Sequence, residues 1–401
     1  MTIFLTIIII LILFIIWVSL DIWFGRRIHK SKVIPFKESP VRKSDAHFFS
    51  HGDKLFDDMF EAVENAKDHI HIQFYIFRDD SIGIKMLSHL MNRARKGVTV
   101  RIMVDWVGSS ISKETVKKLK DTGISFVKTN RPHFPLLFYS LNERNHRKIT
   151  VIDGTIAYIG GFNFGDEYLG RDPELGRWRD YHLRITGESV ADLQNQFLID
   201  WERASKEAIE RSKRYFPPLQ PGSLNMQIMP TDGAHVQEAI LTIIDQAEKS
   251  VFIGTPYFIP DKPILHELVR LSKNGIHVQV LIPKYPDHPL VKDAAYPNIR
   301  ILLKAGVDVR QFYEGFYHSK AIIVDDKIID IGTSNFDQRS FYLNNEVNCI
   351  IHDKEWIKHV KEKIDGDFYK SSERITFELL KQRSLFDRSK EAVAKVLSPL
   401  M

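Results

Sequence analysis

One eighteen-residue pattern occurs twice in this chain, and this duplication constrains the fold more than any other feature. The first copy, HRKITVIDGTIAYIGGFN, runs from His146 to Asn163, and the second, HSKAIIVDDKIIDIGTSN, runs from His318 to Asn335. In both copies Lys follows His by two positions, Asp by seven, Gly by fourteen and Asn by seventeen. Copies this far apart indicate two related domains, because solenoid repeats recur within roughly 20 to 50 residues.

The hydrophobic pattern upstream of each copy predicts the same succession of elements. An amphipathic helix comes first, followed by an alternating strand, a second helix, a glycine turn and a buried strand. In the first half these are a helix from about residue 52 and then 69–77, 84–95 and 98–104, and in the second half they are 236–248, 250–259, 264–273 and 276–282. Alternating strands and helices predict an α/β fold of two sandwich repeats, which we expect to face each other across a pseudo-two-fold axis.

The N-terminus carries a second strong signal. Residues 3–20 contain only two polar side chains, so they are long and apolar enough to span a bilayer as one transmembrane helix. The flanks do not match a cleaved signal peptide, so we predict a retained anchor over 1–24. Residues 25–45 are predicted to form a juxtamembrane linker, and they contain seven lysines and arginines. The positive-inside rule then places the rest of the chain in the cytoplasm. The remainder is predicted to divide into two domains, 46–215 and 216–401.

The residues of the repeated pattern suit chemistry at a phosphodiester. His and Lys two positions apart on a strand point to the same face. Two such strands would bring His146, Lys148, His318 and Lys320 around one small volume. The lysines would stabilise charge on the phosphoryl oxygens, one imidazole would attack phosphorus and the other would protonate the leaving oxygen. The competing interpretation, a strand pair with exposed polar residues, is disfavoured by the duplication.

Further polar residues recur at matching places. Asn163 and Asn335 can donate to phosphoryl oxygens, and Ser334, which has no hydroxyl counterpart in the first copy, is a third candidate for substrate binding. A carboxylate follows each copy, Asp180 in the first half and Glu346 in the second. Either could accept the far N–H of a catalytic imidazole and fix its tautomer, although a strand-edge salt bridge is an equally good interpretation.

The two aspartates of the pattern are harder to place. Asp153 and Asp325 complete the HxKxxxxD signature and are therefore included in the candidate catalytic set. Their odd offset from the histidines nevertheless predicts side chains that point away from the reaction centre. We expect them to hold a turn or a helix N-terminus.

These residues resemble the phospholipase D superfamily and, within it, the bacterial cardiolipin synthases. The resemblance rests on RNHRKITVIDG with IGGFN, on TPYFIP at 255–260, and on GFYHSK with IGTSNFDQRSF and LNNEVN. It covers essentially the whole chain. Familiar members carry two N-terminal membrane helices, whereas this sequence offers one, so it is similar to a shorter, single-span type.

The resemblance implies a transphosphatidylation. One phosphatidylglycerol, an anionic lipid of the bilayer, would donate its phosphatidyl group to a histidine and release glycerol, and a second phosphatidylglycerol would then accept the group to give cardiolipin. By analogy with superfamily members, His146 would be the nucleophile and His318 the acid and base. No metal and no organic cofactor are implied, which agrees with lysines supplying the positive charge.

Other functions use the same signature. A hydrolytic phospholipase D would take water as acceptor, and a phosphatidyltransferase such as a phosphatidylserine synthase would take another alcohol. A nuclease would need a strongly basic groove, and the net charge of +5 with a pI near 8.9 is too modest for nucleic acid as a partner. A non-catalytic membrane scaffold is disfavoured because both histidine and lysine pairs are intact.

Overall fold

Two α/β halves share a continuous β-sheet, and one long helix precedes them. The computed structural model describes residues 2–32, 38–288 and 290–398. The helices are α1 (Thr2–Lys32), α2 (Gly52–Asn65), α3 (Ser81–Arg95), α4 (Lys113–Asp121), α5 (Leu137–Asn142), α6 (Ser189–Ser205), α7 (Val236–Ile244), α8 (Lys262–Lys273), α9 (Val291–Lys304), α10 (Gln338–Tyr342), α11 (Lys354–Asp365), α12 (Phe377–Lys381) and α13 (Leu385–Leu397). The strands are β1 (Arg42–Phe49), β2 (His69–Phe74), β3 (Thr99–Asp105), β4 (Ser125–Thr129), β5 (Ile149–Ile152), β6 (Ile156–Gly160), β7 (Trp178–Arg179), β8 (His182–Gly187), β9 (Leu224–Asp232), β10 (Ser250–Gly254), β11 (Phe258–Ile259), β12 (His277–Pro283), β13 (Asp308–Phe312), β14 (Phe316–Tyr317), β15 (Ala321–Val324), β16 (Ile328–Gly332), β17 (Phe336–Asp337), β18 (Asn345–Ile351) and β19 (Ser372–Arg374).

Fifteen strands form one sheet whose order repeats about its centre. There β1 pairs antiparallel with β9, through residues 42–44 and 224–226. The order continues β8-β6-β5-β2-β3-β4 on one side and β18-β16-β15-β10-β12-β13-β19 on the other. Strands β2, β3 and β4 run parallel, as do β10, β12 and β13, because helical crossovers join them. The predicted duplicated α/β fold is confirmed, and the sheets of its halves are joined edge to edge.

Matching local signals start the corresponding helices of the two halves. The side chain of Asp80 accepts a hydrogen bond from Gly83 N at the start of α3, and Asp261 does the same for Ile264 N at the start of α8. Each half has its own apolar core beneath its helices. A third buried cluster contains residues from both halves, so the seam between them is itself a hydrophobic core.

The predicted elements form with shifted ends, and one placement is wrong. The strand predicted over 69–77 ends at Phe74, and the one predicted over 250–259 divides into β10 and β11. The motif histidines and lysines do not lie within strands, because β5 begins at Ile149 and β15 at Ala321. The residues just before these strands instead bond to the opposite half of the chain.

Helix α1 is long and apolar enough to cross a membrane. The mean hydropathy of its most apolar stretch is 2.9, and 6% of that stretch is buried. At about 1.5 Å per residue, it exceeds a hydrocarbon layer of roughly 30 Å. The helix continues past the predicted anchor of 1–24 and ends at Lys32, and β1 begins at Arg42. Much of the predicted linker 25–45 is therefore helix or strand. Residues 33–37 of that linker lie outside the described residues. The domain boundary at 215/216 stays a prediction.

Helix α1 packs against α5, the short helix that precedes the first motif. Asp21, although it lies on the apolar helix, is 5% exposed and accepts a hydrogen bond from the backbone N–H of Tyr139 (2.7 Å). The ring of Phe138 packs edge-on against Phe14 and Trp17, with centroids 5.6 and 4.9 Å apart. These contacts place the apolar helix beside the segment that leads to the first motif.

Candidate active site

Each motif segment is held by the other half of the chain. The backbone N–H of His146 donates to the carbonyl of Asn345 (2.9 Å), and the N–H of His318 donates to the carbonyl of Arg179 (2.7 Å). Strand β14, just before the second motif, runs parallel to β7 of the first half. Each motif histidine therefore lies next to the residue that follows its backbone partner, and that residue is a carboxylate in both cases.

The two motif histidines line one cavity of about 420 Å³. Its wall also carries Asn163 and Asn335, an aromatic group of Tyr75, Tyr168, Trp178 and Tyr257, the arginines Arg144 and Arg339, and the acidic residues Asp287 and Asp337. The ring of Tyr75 packs edge-on against His146 at 5.0 Å, and that of Trp178 lies 5.0 Å from His318. A cavity of this size lies within the range of small-molecule binding sites.

His146 is oriented by Glu346. Its Nδ1 lies 3.0 and 2.9 Å from the two oxygens of this fully buried carboxylate. Because an ionised carboxylate can only accept, Nδ1 carries the proton and the lone pair of the imidazole is on Nε2. Burial lowers the pKa of His146 to about 4, even though Glu346 favours the charged form. The ring is thus neutral near pH 7, as a nucleophile must be.

His318 is oriented in the same way by Asp180. Its Nδ1 lies 2.6 Å from Oδ2 of this buried carboxylate. Burial raises the pKa of Asp180 to about 6, and burial together with Lys320 and Lys148 holds the pKa of His318 well below its ordinary value. The crossed arrangement means that each half supplies the histidine of one pair and the carboxylate of the other.

The carboxylates differ in how many donors surround them. Glu346 also accepts from the hydroxyls of Thr333 (2.5 Å) and Ser340 (2.8 Å). Although burial opposes ionisation, His146, Lys148 and Thr333 keep the pKa of Glu346 below its ordinary value. In the first half, Gly161 occupies the position that corresponds to Thr333. A Cβ atom added to Gly161 would lie 2.1 Å from Oδ1 of Asp180. Glu346 is consequently the more strongly ionised of the two.

Both motif lysines are buried beside the histidines. Lys148 Nζ donates to the carbonyl of His146 (2.8 Å), and Lys320 Nζ lies 2.8 and 3.0 Å from the two ring nitrogens of His318. Burial and the charge of Lys320 lower the pKa of Lys148 to about 7, and burial lowers that of Lys320 to about 8 against the attraction of Asp180 and Glu346. The site concentrates positive charge that a phosphodiester anion would stabilise.

The asparagines and Ser334 have different surroundings. Asn163 and Asn335 line the cavity; Asn163 Oδ1 accepts from Ile76 N (3.1 Å), whereas Asn335 Oδ1 is buried without a hydrogen-bond partner among the described residues. Ser334 does not line this cavity, because its hydroxyl donates to Asn348 Oδ1 (2.8 Å) in a separate small pocket that Lys320 also lines, and its role in substrate binding stays a prediction. The asymmetry between the motifs lies one position earlier, at Gly161 and Thr333.

Asp153 and Asp325 contact backbone N–H groups and do not line the cavity, so the structure gives no support to their inclusion in the catalytic set, which stays a prediction. Asp153 accepts from the N–H groups of Lys67, Asp68 and His69, at 2.7, 2.7 and 3.0 Å. Asp325 accepts from three N–H groups at 248–250, at 2.6 to 2.7 Å. Both stand in the turn after the motif strand and fix the loop that enters β2 or β10. The expected structural role therefore fits these contacts, although they fix strand entries rather than a helix start.

Some cavity residues escaped the sequence analysis. Tyr75, Trp178, Arg339 and Asp337 carry no repeat signal, because the other half of the chain has different residues at the corresponding places. Aligning the two copies shows that Gly161 stands where the second copy has Thr333. The effect of this difference on the two carboxylates can be inferred only once the structure shows which carboxylate lies beside each residue. In the described part of the chain, no three or more His, Cys, Asp and Glu side chains cluster as a candidate metal site.

Sequence comparison links this site to a defined group of proteins. The family described as "Cardiolipin synthase, PLD-like domain" matches residues 59–201 and 240–368, one segment in each half. The chain is 39% identical to the minor cardiolipin synthase ClsB of Bacillus subtilis strain 168, over 99% of each protein. It is also 39% identical to a cardiolipin synthase of Staphylococcus aureus strain Mu50, over 89% of this chain and 74% of that protein.

Comparison of structures gives the same fold. The crystal structure of phosphatidylserine synthase from Haemophilus influenzae superposes with a TM-score of 0.73, covering 90% of this chain and 97% of that one. The sequence identity in this pair is 18%, so the likeness concerns the fold alone. It supports the phospholipase D-like duplicated architecture described above.

Proposed function

The chain belongs to the family of cardiolipin synthases with phospholipase D-like domains, and we propose that it joins two phosphatidylglycerol molecules into cardiolipin and releases glycerol. The observation that carries the proposal is the crossed pair of histidine–carboxylate contacts, with both histidines on one cavity and a buried lysine beside each of them. Two imidazoles held through Nδ1 by carboxylates suit a double displacement at phosphorus, with the Nε2 of His146 available for attack and that of His318 beside Lys320 Nζ (3.0 Å). The family relatives supply the substrate class.

In the first step His146 is the nucleophile. Its Nε2 forms a bond to phosphorus of the donor lipid, while the bond from phosphorus to the glycerol headgroup breaks. His318 gives a proton to the departing oxygen, so neutral glycerol leaves. Both histidines are neutral in the unliganded cavity, and the negative charge of the bound phosphodiester favours the protonated form of His318.

In the second step a terminal hydroxyl of another phosphatidylglycerol attacks the same phosphorus. His318 takes the proton of this hydroxyl, and the bond from phosphorus to His146 breaks. Cardiolipin leaves, and both imidazoles return to their first state. Lys148, Lys320, Asn163 and Asn335 bind the phosphoryl oxygens in both steps, where charge develops.

We propose that α1 anchors the enzyme in the membrane with its catalytic halves in the cytoplasm. Seven arginines and lysines lie between residues 26 and 43, in the last turns of α1 and just beyond it, and the positive-inside rule associates such a cluster with the cytoplasmic side. A reporter fused to the C-terminus should be active only in the cytoplasm. Activity of an exported reporter at that position would contradict the orientation.

Product analysis tests the activity. The full chain in detergent is incubated with phosphatidylglycerol, and mass spectrometry follows cardiolipin while free glycerol is measured in parallel. Cardiolipin and glycerol in equal amounts, both absent with His146→Ala, are the expected result. Phosphatidic acid as the main product would instead identify a hydrolytic phospholipase D.

In the proposed chemistry, lysine ammonium groups supply the positive charge that a metal ion supplies in a metalloenzyme. Activity should therefore persist in a strong chelator, provided that detergent micelles keep the packing of the anionic lipid constant. Activity lost to the chelator and restored by zinc or magnesium would contradict this part of the proposal.

A further inference from the structure

Arg339 is a cationic cavity residue without a carboxylate partner. Its Nη2 donates one hydrogen bond, to the carbonyl of Asn142 (3.3 Å), and its Nε is buried without a hydrogen-bond partner among the described residues. In the part of the chain that the structure describes, no ion pair involves Arg339. A guanidinium with unused donors at a cavity wall is suited to bind an oxyanion from solution or from a lipid.

The other cavity arginine is occupied. Arg144 is 1% exposed, forms an ion pair with Asp105 (3.1 Å) and donates to the carbonyl of Asn130 (2.8 Å). Its charge is balanced by Asp105 and both of its Nη atoms donate hydrogen bonds, although its Nε, like that of Arg339, has no partner among the described residues. Arg339 and Arg144 therefore differ in function, although both line the same space.

Two acidic side chains line the same cavity as Arg339, and each has a hydrogen-bond partner other than Arg339. Asp337 caps α10 by accepting from Ser340 N (2.8 Å), and burial raises its pKa to about 6. Asp287, also on the cavity wall, accepts from the hydroxyl of Tyr257 (2.5 Å). Neither forms an ion pair with Arg339 among the described residues, although the charge of Arg339 lowers the pKa of Asp337 against the effect of burial. An anionic ligand would therefore not have to displace a carboxylate from the guanidinium.

Arg339 also lies on the side of the cavity that faces the apolar helix. Its hydrogen-bond partner, Asn142, is the last residue of α5, and α5 packs against α1. Its charge acts on Tyr75, whose ring contacts His146. Arg339 therefore contacts the segment that packs on α1 and lies in the neighbourhood of the proposed nucleophile.

We propose that Arg339 binds the phosphodiester of the acceptor phosphatidylglycerol, an inference that rests on the proposed function. Both substrates carry one phosphate, but only the donor phosphate reacts at the histidines and lysines. The acceptor phosphate stays one glycerol away from its attacking hydroxyl and must be held in the same cavity. Arg339 supplies the cation for this second phosphate, and it thereby favours a lipid acceptor over water or free glycerol.

The test compares acceptors with and without a phosphate on the same full-length enzyme. One assay measures cardiolipin formation, and another measures exchange of labelled glycerol into phosphatidylglycerol, which uses the same donor and a neutral acceptor. A third offers glycerophosphoglycerol, the deacylated and soluble form of the acceptor. In Arg339→Ala the rates with both phosphate-bearing acceptors should fall at least tenfold relative to glycerol exchange. Arg339→Lys should recover part of the loss, because it keeps the charge without the planar fork.

Other outcomes decide against the inference or against its premise. An equal fall in all three rates would show that Arg339 supports the donor site or the fold. Three unchanged rates would show that Arg339 does not bind the acceptor phosphate. Either result overturns the inference. Arg374→Ala is the matched control, since Arg374 is an exposed arginine of the edge strand β19 and should change none of the rates. A wild-type enzyme that exchanges glycerol but makes no cardiolipin would refute the proposed function, and the soluble acceptor pair would still test Arg339.

Discussion

Glu346 and His146 form a hydrogen-bonded pair at 2.9 Å across the seam between the two halves of the chain. Asp180 and His318 form the reciprocal pair at 2.6 Å. A single half would contain a histidine without its carboxylate and a carboxylate without its histidine. This crossing explains why the repeated pattern is useful only as two copies in one chain or one assembly.

Replacing the two carboxylates should separate their roles. Glu346→Gln and Asp180→Asn should each slow cardiolipin formation by roughly 10²- to 10⁴-fold, because the amide no longer fixes the tautomer or stabilises an imidazolium. With a nitrophenyl phosphodiester as donor, Glu346→Gln should remain slow in forming the covalent adduct, since it acts on the nucleophile. Asp180→Asn should then be close to wild type, because this leaving group needs no proton. Rapid-mixing kinetics would measure both steps, and the reverse ranking would exchange the roles of the histidines.

The histidines themselves should differ in the same assay. His318→Ala should stop turnover with phosphatidylglycerol, whose glycerol is a poor leaving group without a proton. With the nitrophenyl donor it should still accumulate a phosphohistidine, visible as a mass increase of the intact protein, whereas His146→Ala should not. An adduct in neither variant nor wild type would count against covalent catalysis altogether.

Much of the site could be predicted from sequence because the chemistry is repeated. His146, Lys148, His318 and Lys320 share spacing in both copies, and two coincident patterns are enough to indicate one cavity. The crossing of Asp180 and Glu346 could not be predicted, because it depends on backbone pairing between segments far apart in the chain.

Other features depend on tertiary packing alone. Ser334 and Thr333 are neighbours in sequence, and only the structure shows that Thr333 donates to Glu346 while Ser334 bonds to Asn348. Arg339 has no counterpart in the first copy, so the comparison of the halves gave no signal for it. The continuous sheet likewise arises from the β1–β9 pairing, which no local periodicity predicts.

Asp153→Asn should reduce stability more than catalysis. Asp153 accepts three backbone hydrogen bonds at the entry to β2, and weakening charge-assisted bonds of this kind costs about 1–3 kcal/mol. Thermal unfolding should show a lower Tm, while the rate per folded molecule stays near that of wild type. A large loss of kcat at unchanged Tm would return Asp153 to the catalytic set.

The pH dependence of kcat/KM with a nitrophenyl phosphodiester donor, whose leaving group needs no proton from His318, should report the ionisations of the free cavity. His146 must be neutral, and its pKa of about 4 sets the acid limb. Lys148 and Lys320 must be charged, and their pKa values of about 7 and about 8 predict a fall in kcat/KM as the pH rises through 7 to 8. A bound phosphodiester stabilises both ammonium groups, so the alkaline limb of kcat should lie at higher pH than that of kcat/KM.

The predicted loss of activity at alkaline pH can be distinguished from unfolding, because the lysines should change activity and stability in opposite directions. A lysine whose pKa is lower in the folded than in the unfolded state binds fewer protons when folded, so its contribution to stability increases with pH between the two values. Lys148 and Lys320 therefore favour the folded state as the solution becomes alkaline, while activity falls. Initial rates with the nitrophenyl donor, taken alongside thermal unfolding from pH 5 to 10, would test this. An alkaline limb that instead tracks a falling Tm, or one absent up to pH 10, would contradict the lowered lysine pKa values.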